Sequence, residues 1–288
     1  MAKRGIKRKS LSPSGAVAAF IVGLLHMGCD YTFGAVLIAF FLSSSKLTHL
    51  SQERKAACDA SFRLGGQRGA SQVLCNSAGG ALAAAAAAAA AAWSGGSSSQ
   101  QGQVLQLLAW SAFLGHYACC CADTWASELG MLSSSRPRLL SSMAAVPPGT
   151  NGGVTLLGLA AGAAGGLAMG AVAWVVGRLS GELPPGLGQA ASPAAAACQG
   201  AGFWLGLGIG AGCAGSLIDS LLGATLQYSG WCSRTHRVVA QAAPHVQHIS
   251  GKPILSNNQV NALAALSTSA GCVAFAWWWL SAGQVLHY

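Results

Sequence analysis

Seven apolar stretches recur along the 288 residues of this chain, at 14–28, 31–45, 72–93, 103–132, 152–176, 200–228 and 260–281. A helix needs about 20 mostly apolar residues to cross the hydrocarbon of a bilayer, fewer where polar residues flank it. The first two stretches are short and parted by Cys29 and Asp30, which reads as two brief helices joined by a tight turn. The third contains the run Ala83 to Ala92, helix-favouring but only weakly apolar. Charged residues are 8% of the chain, against about 25% in a soluble domain, so these stretches have no charged coat to hide beneath. The expected fold class is all-α. It is a polytopic helical membrane protein of about seven transmembrane helices, with one membrane domain over 14–288 behind a basic N-terminus at 1–13.

Basic residues set the orientation. Lys3, Arg4, Lys7, Arg8 and Lys9 precede the first stretch, and Lys46, Arg54, Lys55, Arg63 and Arg68 lie between the second and third. Arg136 and Arg138 follow the fourth, and Arg234, Arg237 and Lys252 follow the sixth. With a cytoplasmic N-terminus and seven spans, 15 of the 16 basic residues fall inside and only Arg178 outside, and the C-terminus is outside. The net charge of +9 is therefore a topology signal, and its dispersal over separate loops argues against nucleic acid as a partner. The N-terminus lacks a small-x-small cleavage site, so a cleavable signal is not expected. The segments 93–102 and 179–197 read as flexible outer linkers. Ten cysteines include no Cys-x-x-Cys pair and read as buried, reduced thiols at helix contacts.

Seven acidic residues sort against this topology. Asp30, Glu53, Asp59 and Glu182 fall on loops, whereas Asp123, Glu128 and Asp219 fall within apolar stretches near their cytoplasmic ends. Ionisable residues so placed are functional candidates, with a hydrated position at headgroup level as the bland alternative. At helical spacing Asp123 shares a face with Ser127, and Thr124 with Glu128. Asp219 is bracketed by Gly215 and Gly223, where another backbone can approach. The segments Asp-Thr-Trp-Ala-Ser and Asp-Ser-Leu-Leu-Gly read as weak copies of each other, a hint of internal repetition.

The loops on the same side add complementary groups. VPPGTNGGVT, residues 146–155, stops one helix and feeds the next through Gly149, Thr150, Asn151, Gly152 and Gly153. Such a turn can present backbone N–H groups to a phosphate, and a tightly capped helix start would use the same residues. Arg68 and Lys252 can hold phosphate oxygens. Asp123 and Asp219, with Asn76, Asn257, Asn258 and Asn261 towards the same side, suit Mg²⁺ as hard oxygen ligands. Anchoring lysines and polar helix caps are the alternatives. His236, His245 and His248 match no metal spacing. The residues alone thus point to an anionic ligand bound with a divalent metal, and assemble no Ser-His-Asp or Cys-His set.

The segments LSPSGAVAAFIVG (11–23), FFLSSSKLT (40–48), GGQRGASQVLCN (65–76), CADTWASELG (121–130), PPGTNGGVTLLG (147–158), GSLIDSLLGATLQYSG (215–230) and GKPILSNNQVN (251–261) together resemble the transmembrane protein 19 family. That integral-membrane group was formerly catalogued as a domain of unknown function. It includes a plastid branch with phytyl-phosphate kinase, and the Asp-Thr-x-Ala-Ser-x-x-Gly pattern also looks distantly like CTP-dependent polyprenol kinases. The resemblance implies Asp123 as metal ligand or base with Glu128 in support, and the Gly149–Gly153 turn as phosphate cradle. It implies a nucleoside triphosphate and an isoprenoid phosphate as partners, within a plastid envelope or an endomembrane. The alternative is a transporter, or a regulatory membrane protein tied to glucose response, using the same carboxylates without catalysis.

Overall fold

The computed structural model describes residues 2–58, 60, 66–93, 100–181, 197–198 and 200–285. Asp59, Gly65, Glu182 and the central parts of both expected linkers lie outside the described residues.

A short helix α1 (Ala2–Lys7) leads into α2 (Pro13–Cys29), whose start is set by chemistry at its first turn. Ser12 accepts a hydrogen bond from the Gly15 N–H at 3.0 Å, and Pro13 takes the first helical position, where its missing N–H costs nothing. Asp30 ends α2 and starts α3 (Tyr31–Cys58), its N–H bonding to the His26 carbonyl and its carboxylate accepting from the Thr32 N–H. The tight turn expected there is present. Helix α3 runs well past the expected limit at 45, since no glycine or proline interrupts 46–58.

The stretch expected as one helix over 72–93 is two, α4 (Ala70–Cys75) and α5 (Ala78–Trp93). Asn76 leaves helical geometry at ψ 3°, and its carbonyl turns to a buried histidine, His116 Nε2, at 3.1 Å. Helix α6 (Gln100–Gly130) is the most enclosed element, with Trp110, Phe113, Leu114 and Tyr117 at the centre of the core. Phe33, Val36 and Phe40 of α3 pack on it from one side, with the Phe33 and Phe113 rings 4.3 Å apart.

A two-stranded ladder, β1 (Arg138–Leu139) with β2 (Gly153–Val154), pins the following loop. Helix α7 (Leu156–Ser180) is capped by the Thr155 hydroxyl on the Gly158 N–H. Helix α8 (Ala201–Leu226) places Trp204 against Trp110 of α6. A three-stranded antiparallel sheet then interrupts the helical pattern: β3 (Ser229–Cys232), β4 (Arg237–Val239) and β5 (Val246–Ser250), in the order β4-β3-β5. Helix α9 (Asn257–Val285) closes the described chain. The all-α expectation is thus met in the bundle, and the small sheets depart from it.

Five helices, within α3, α6, α7, α8 and α9, are long and apolar enough to cross a membrane, while α2 and α5 are shorter apolar helices. The seven expected stretches thus comprise five helices of full spanning length and two shorter apolar ones. Outward-facing Phe20, Ile21, Leu24 and Leu25 of α2, Leu82 of α5, and Trp277 and Trp278 of α9 are more than half exposed. Apolar exposure on that scale fits lipid as the surrounding solvent. The starts of α2, α4, α7 and α9 and the ends of α3, α6 and α8 gather at one end of the bundle, with both small sheets.

Candidate functional site

Glycine positions bring two carboxylates together. A Cβ on Gly215 of α8 would fall 2.6 Å from Cys119 Cβ of α6, so only glycine lets these helices approach so closely there. One turn further along each helix stand Asp219 and Asp123, whose carboxyl groups lie within hydrogen-bonding reach of each other. Each sits seven residues before its helix ends, at Leu226 and Gly130. At 1.5 Å per residue that is about 10 Å from the helix end. Asn261 of α9, with its NH₂ turned inward, donates to Asp219 Oδ2 at 3.3 Å and to the Asn257 carbonyl at 2.9 Å. Helix α7 completes the wall, because a Cβ on Gly165 would lie 3.2 Å from the Ala122 backbone.

These carboxylates line a cavity of about 340 Å³ at the gathered end of the bundle. The cavity also takes in Glu128, Arg68 and the whole Gly149–Gly153 turn, and Lys252 is not among its lining residues. Lys252 is exposed, and its backbone N–H caps the end of α8 at the Thr225 carbonyl.

Glu128 is 3% exposed and already engaged: the Lys55 ammonium and the Thr48 hydroxyl both donate to its Oε1, each at 2.8 Å. Its structural position is thus that of an anchor between α6 and α3. Arg68, on the loop before α4, donates from Nη1 to Ser45 Oγ at 3.0 Å, and its backbone is clamped by Ser10 and Ser12. Burial pushes its guanidinium pKa below the ordinary value, and the Glu128 carboxylate opposes that shift. The group stays charged at any physiological pH.

The glycine turn is folded by its own residues. Gly149 and Gly152 adopt φ of 88° and 74°, where a side chain would be strained. Any Cβ on Gly152 would also collide with the Ser220 carbonyl, so the turn lies directly against the residue after Asp219. The Thr150 hydroxyl donates to the Pro147 carbonyl at 2.7 Å. Asn151 ties the turn to β3, its N–H to Ser229 Oγ at 3.1 Å and its Nδ2 to the Tyr228 carbonyl at 3.2 Å. Sequence reasoning gave Asn151 to a ligand; in the structure its hydrogen bonds serve the turn.

Two contributors were missed. Thr48 and Lys55 lie on the part of α3 beyond the expected end of the span, and their spacing of seven residues was the available signal for a shared face. Among the described residues no group of three or more His, Cys, Asp or Glu side chains is arranged to hold a metal ion. A pair of touching carboxylates beside an open polar cavity suits a hard cation whose other positions are filled by water and phosphate, the usual habit of Mg²⁺.

The chain matches the family described as integral membrane protein DUF92 over residues 1–269. It is 42% identical over 270 residues to Protein PGR of Arabidopsis thaliana, covering 93% of this chain and 90% of that protein. It is 27% identical over 153 residues to Protein VTE6, chloroplastic, of the same plant, covering 53% of this chain and 43% of VTE6. An uncharacterized membrane protein of Methanocaldococcus jannaschii, MJ0933, is 26% identical over 161 residues, with 54% and 58% covered. No solved structure matches the chain. With a match spanning nearly its whole length and a full-length relative at 42% identity, the chain belongs to the DUF92 family of integral membrane proteins.

Proposed function

We propose that this protein transfers a phosphoryl group from a nucleoside triphosphate to an isoprenoid lipid phosphate at the cytoplasmic face of its membrane. The observation that carries the reading is the contact between Asp123 and Asp219 in a polar cavity near the end of the bundle. Carboxylates that couple ion movement to transport belong near the bilayer midplane, whereas these sit about 10 Å from their helix ends. The same reading gives seven crossings, with α2 and α5 as short spans, a cytoplasmic N-terminus and the C-terminus outside.

In the proposed reaction an oxygen of the lipid phosphate forms a new bond to the terminal phosphorus of the triphosphate. The bond from that phosphorus to its bridging oxygen breaks, and the nucleoside diphosphate leaves with the electron pair. The products are a lipid diphosphate and a nucleoside diphosphate. Bound Mg²⁺ would neutralise phosphate charge. Asp123 and Asp219 would hold it, Asn261 would orient Asp219, and Arg68 would bind phosphate oxygens by charge-assisted hydrogen bonds. The turn at Gly149–Gly153 would form one wall of the phosphate site. Positioning and charge stabilisation carry most of the catalysis in phosphoryl transfer generally. Glu128 supports the site by holding Lys55 and α3 in place.

The test is turnover by the purified protein in detergent with Mg²⁺, labelled ATP or CTP, and phytyl or geranylgeranyl phosphate. Labelled lipid diphosphate from the wild type, reduced at least about 100-fold in Asp123→Asn, is the expected result. Absence of product from folded protein with every donor and acceptor pair would reject the kinase reading in favour of transport.

A further inference from the structure

A second cavity, of about 260 Å³, adjoins the polar one and differs from it in chemistry. Its walls are apolar: Gly23, Leu24 and Met27 of α2, Leu37 and Phe41 of α3, and Val73 of α4. Leu24 and Met27 are 57% and 43% exposed on the outer face of the bundle, so this groove opens sideways towards lipid. Along α2 its lining runs from Ala19 to Met27, about 12 Å of helix. At its inner end the groove reaches Arg68, Gln72 and Asn76, and the same three residues line the polar cavity. The Asn76 side-chain oxygen is buried there without a hydrogen-bond partner, in a residue only 8% exposed. A buried acceptor left so is costly, and a hydrogen-bond donor lodged at the junction would relieve it; turned over, the same amide presents its NH₂ to a phosphate oxygen.

We infer that this groove is the tail site of a lipid whose phosphate is joined directly to its hydrocarbon, entering sideways between α2 and α3. The apolar chain lies along Gly23, Leu37 and Phe41, and the phosphate passes the Arg68–Asn76 junction into the polar cavity. The junction selects this class. Arg68 supplies the charge complementary to a phosphate, and the two compartments meet at shared side chains. The inference rests on the lipid-phosphate part of the proposed function and is independent of whether a phosphoryl group is transferred.

The test uses the full chain in nanodiscs with geranylgeranyl phosphate carrying a photoreactive diazirine at the end of its tail. Gly23→Trp is the blocking variant, because a Cβ there meets nothing within 4 Å and the ring can fill the groove without disturbing backbone. Gly28→Trp is its control on the same helix, equally open at Cβ and outside the groove. The expected result is labelling within 19–27 and 34–41 that unlabelled phytyl phosphate displaces and inorganic phosphate does not. Gly23→Trp lowers it at least about 10-fold, and Gly28→Trp leaves it unchanged. Arg68→Gln weakens it while Arg68→Lys largely retains it. Labelling concentrated between α7 and α8, displacement by inorganic phosphate, equal labelling by a diazirine-tailed phosphatidic acid, or indifference to Gly23→Trp would overturn the inference. Labelling as expected without turnover rejects the kinase and keeps the tail site. Turnover unaffected by Gly23→Trp rejects the tail site and keeps the kinase.

Discussion

Asp123 and Asp219 act as a pair in this account, so neither should tolerate loss of its charge. Asp219→Asn is expected to lower lipid diphosphate formation as much as Asp123→Asn, each by at least about 100-fold, with little change in thermal stability in detergent. A merely structural pair would show the reverse. Glu128 is expected to behave differently, because its carboxylate is committed to Lys55 and Thr48. Lys55→Met strips the ammonium from a carboxylate that is 3% exposed, and should destabilise the fold by about 1–3 kcal/mol. The partial exposure of Lys55 places the effect at the low end. Adding Glu128→Gln to Lys55→Met should recover part of that loss, a coupling that a double-mutant cycle of unfolding midpoints would measure. The sequence pointed to all three carboxylates through their placement in apolar stretches. It did not separate anchor from pair, because that depends on Lys55, a residue that reads as one more cytoplasmic charge until α3 is seen to continue past it.

Helix packing explains how the carboxylates reach each other. Gly166 and Gly170 of α7 meet Gly208 and Gly212 of α8 almost backbone to backbone, a Cβ on Gly208 falling 3.1 Å from Gly170 Cα. Such small-residue contacts drive association where lipid offers no hydrophobic gain. Gly208→Ala should therefore cost about 1–3 kcal/mol of stability through overpacking. Gly210→Ala, on the same helix with nothing within 4 Å of its Cβ, should be neutral or stabilise by up to about 1 kcal/mol. Thermal unfolding in one detergent compares them directly. The helices were legible as apolar runs, and the observed ends of α2 and α8 fall within about two residues of those read from sequence. The break between α4 and α5 was not legible, since its cause is His116, 40 residues further on. The sheet of β3, β4 and β5 was missed because strands of three to five residues in a polar loop carry little periodicity.

At the scale of the molecule, the fold places one charged, polar end against an otherwise apolar body. In a cysteine-free background, Ser134→Cys near the cavity and Leu179→Cys at the far end of α7 should react with a membrane-impermeant maleimide from opposite sides. Ser134 should label with the N-terminus on the cytoplasmic side. Labelling of both from one side would contradict the orientation and the seven crossings together. The central claim is that Asp123 and Asp219 hold a divalent cation together with phosphate. Its most direct test is Mn²⁺ binding, followed by electron paramagnetic resonance in place of Mg²⁺, with phytyl phosphate and a non-hydrolysable nucleotide present. The account predicts uptake by the wild type and affinity at least about 10-fold weaker in both Asp→Asn variants. Equal uptake by all three proteins would contradict it.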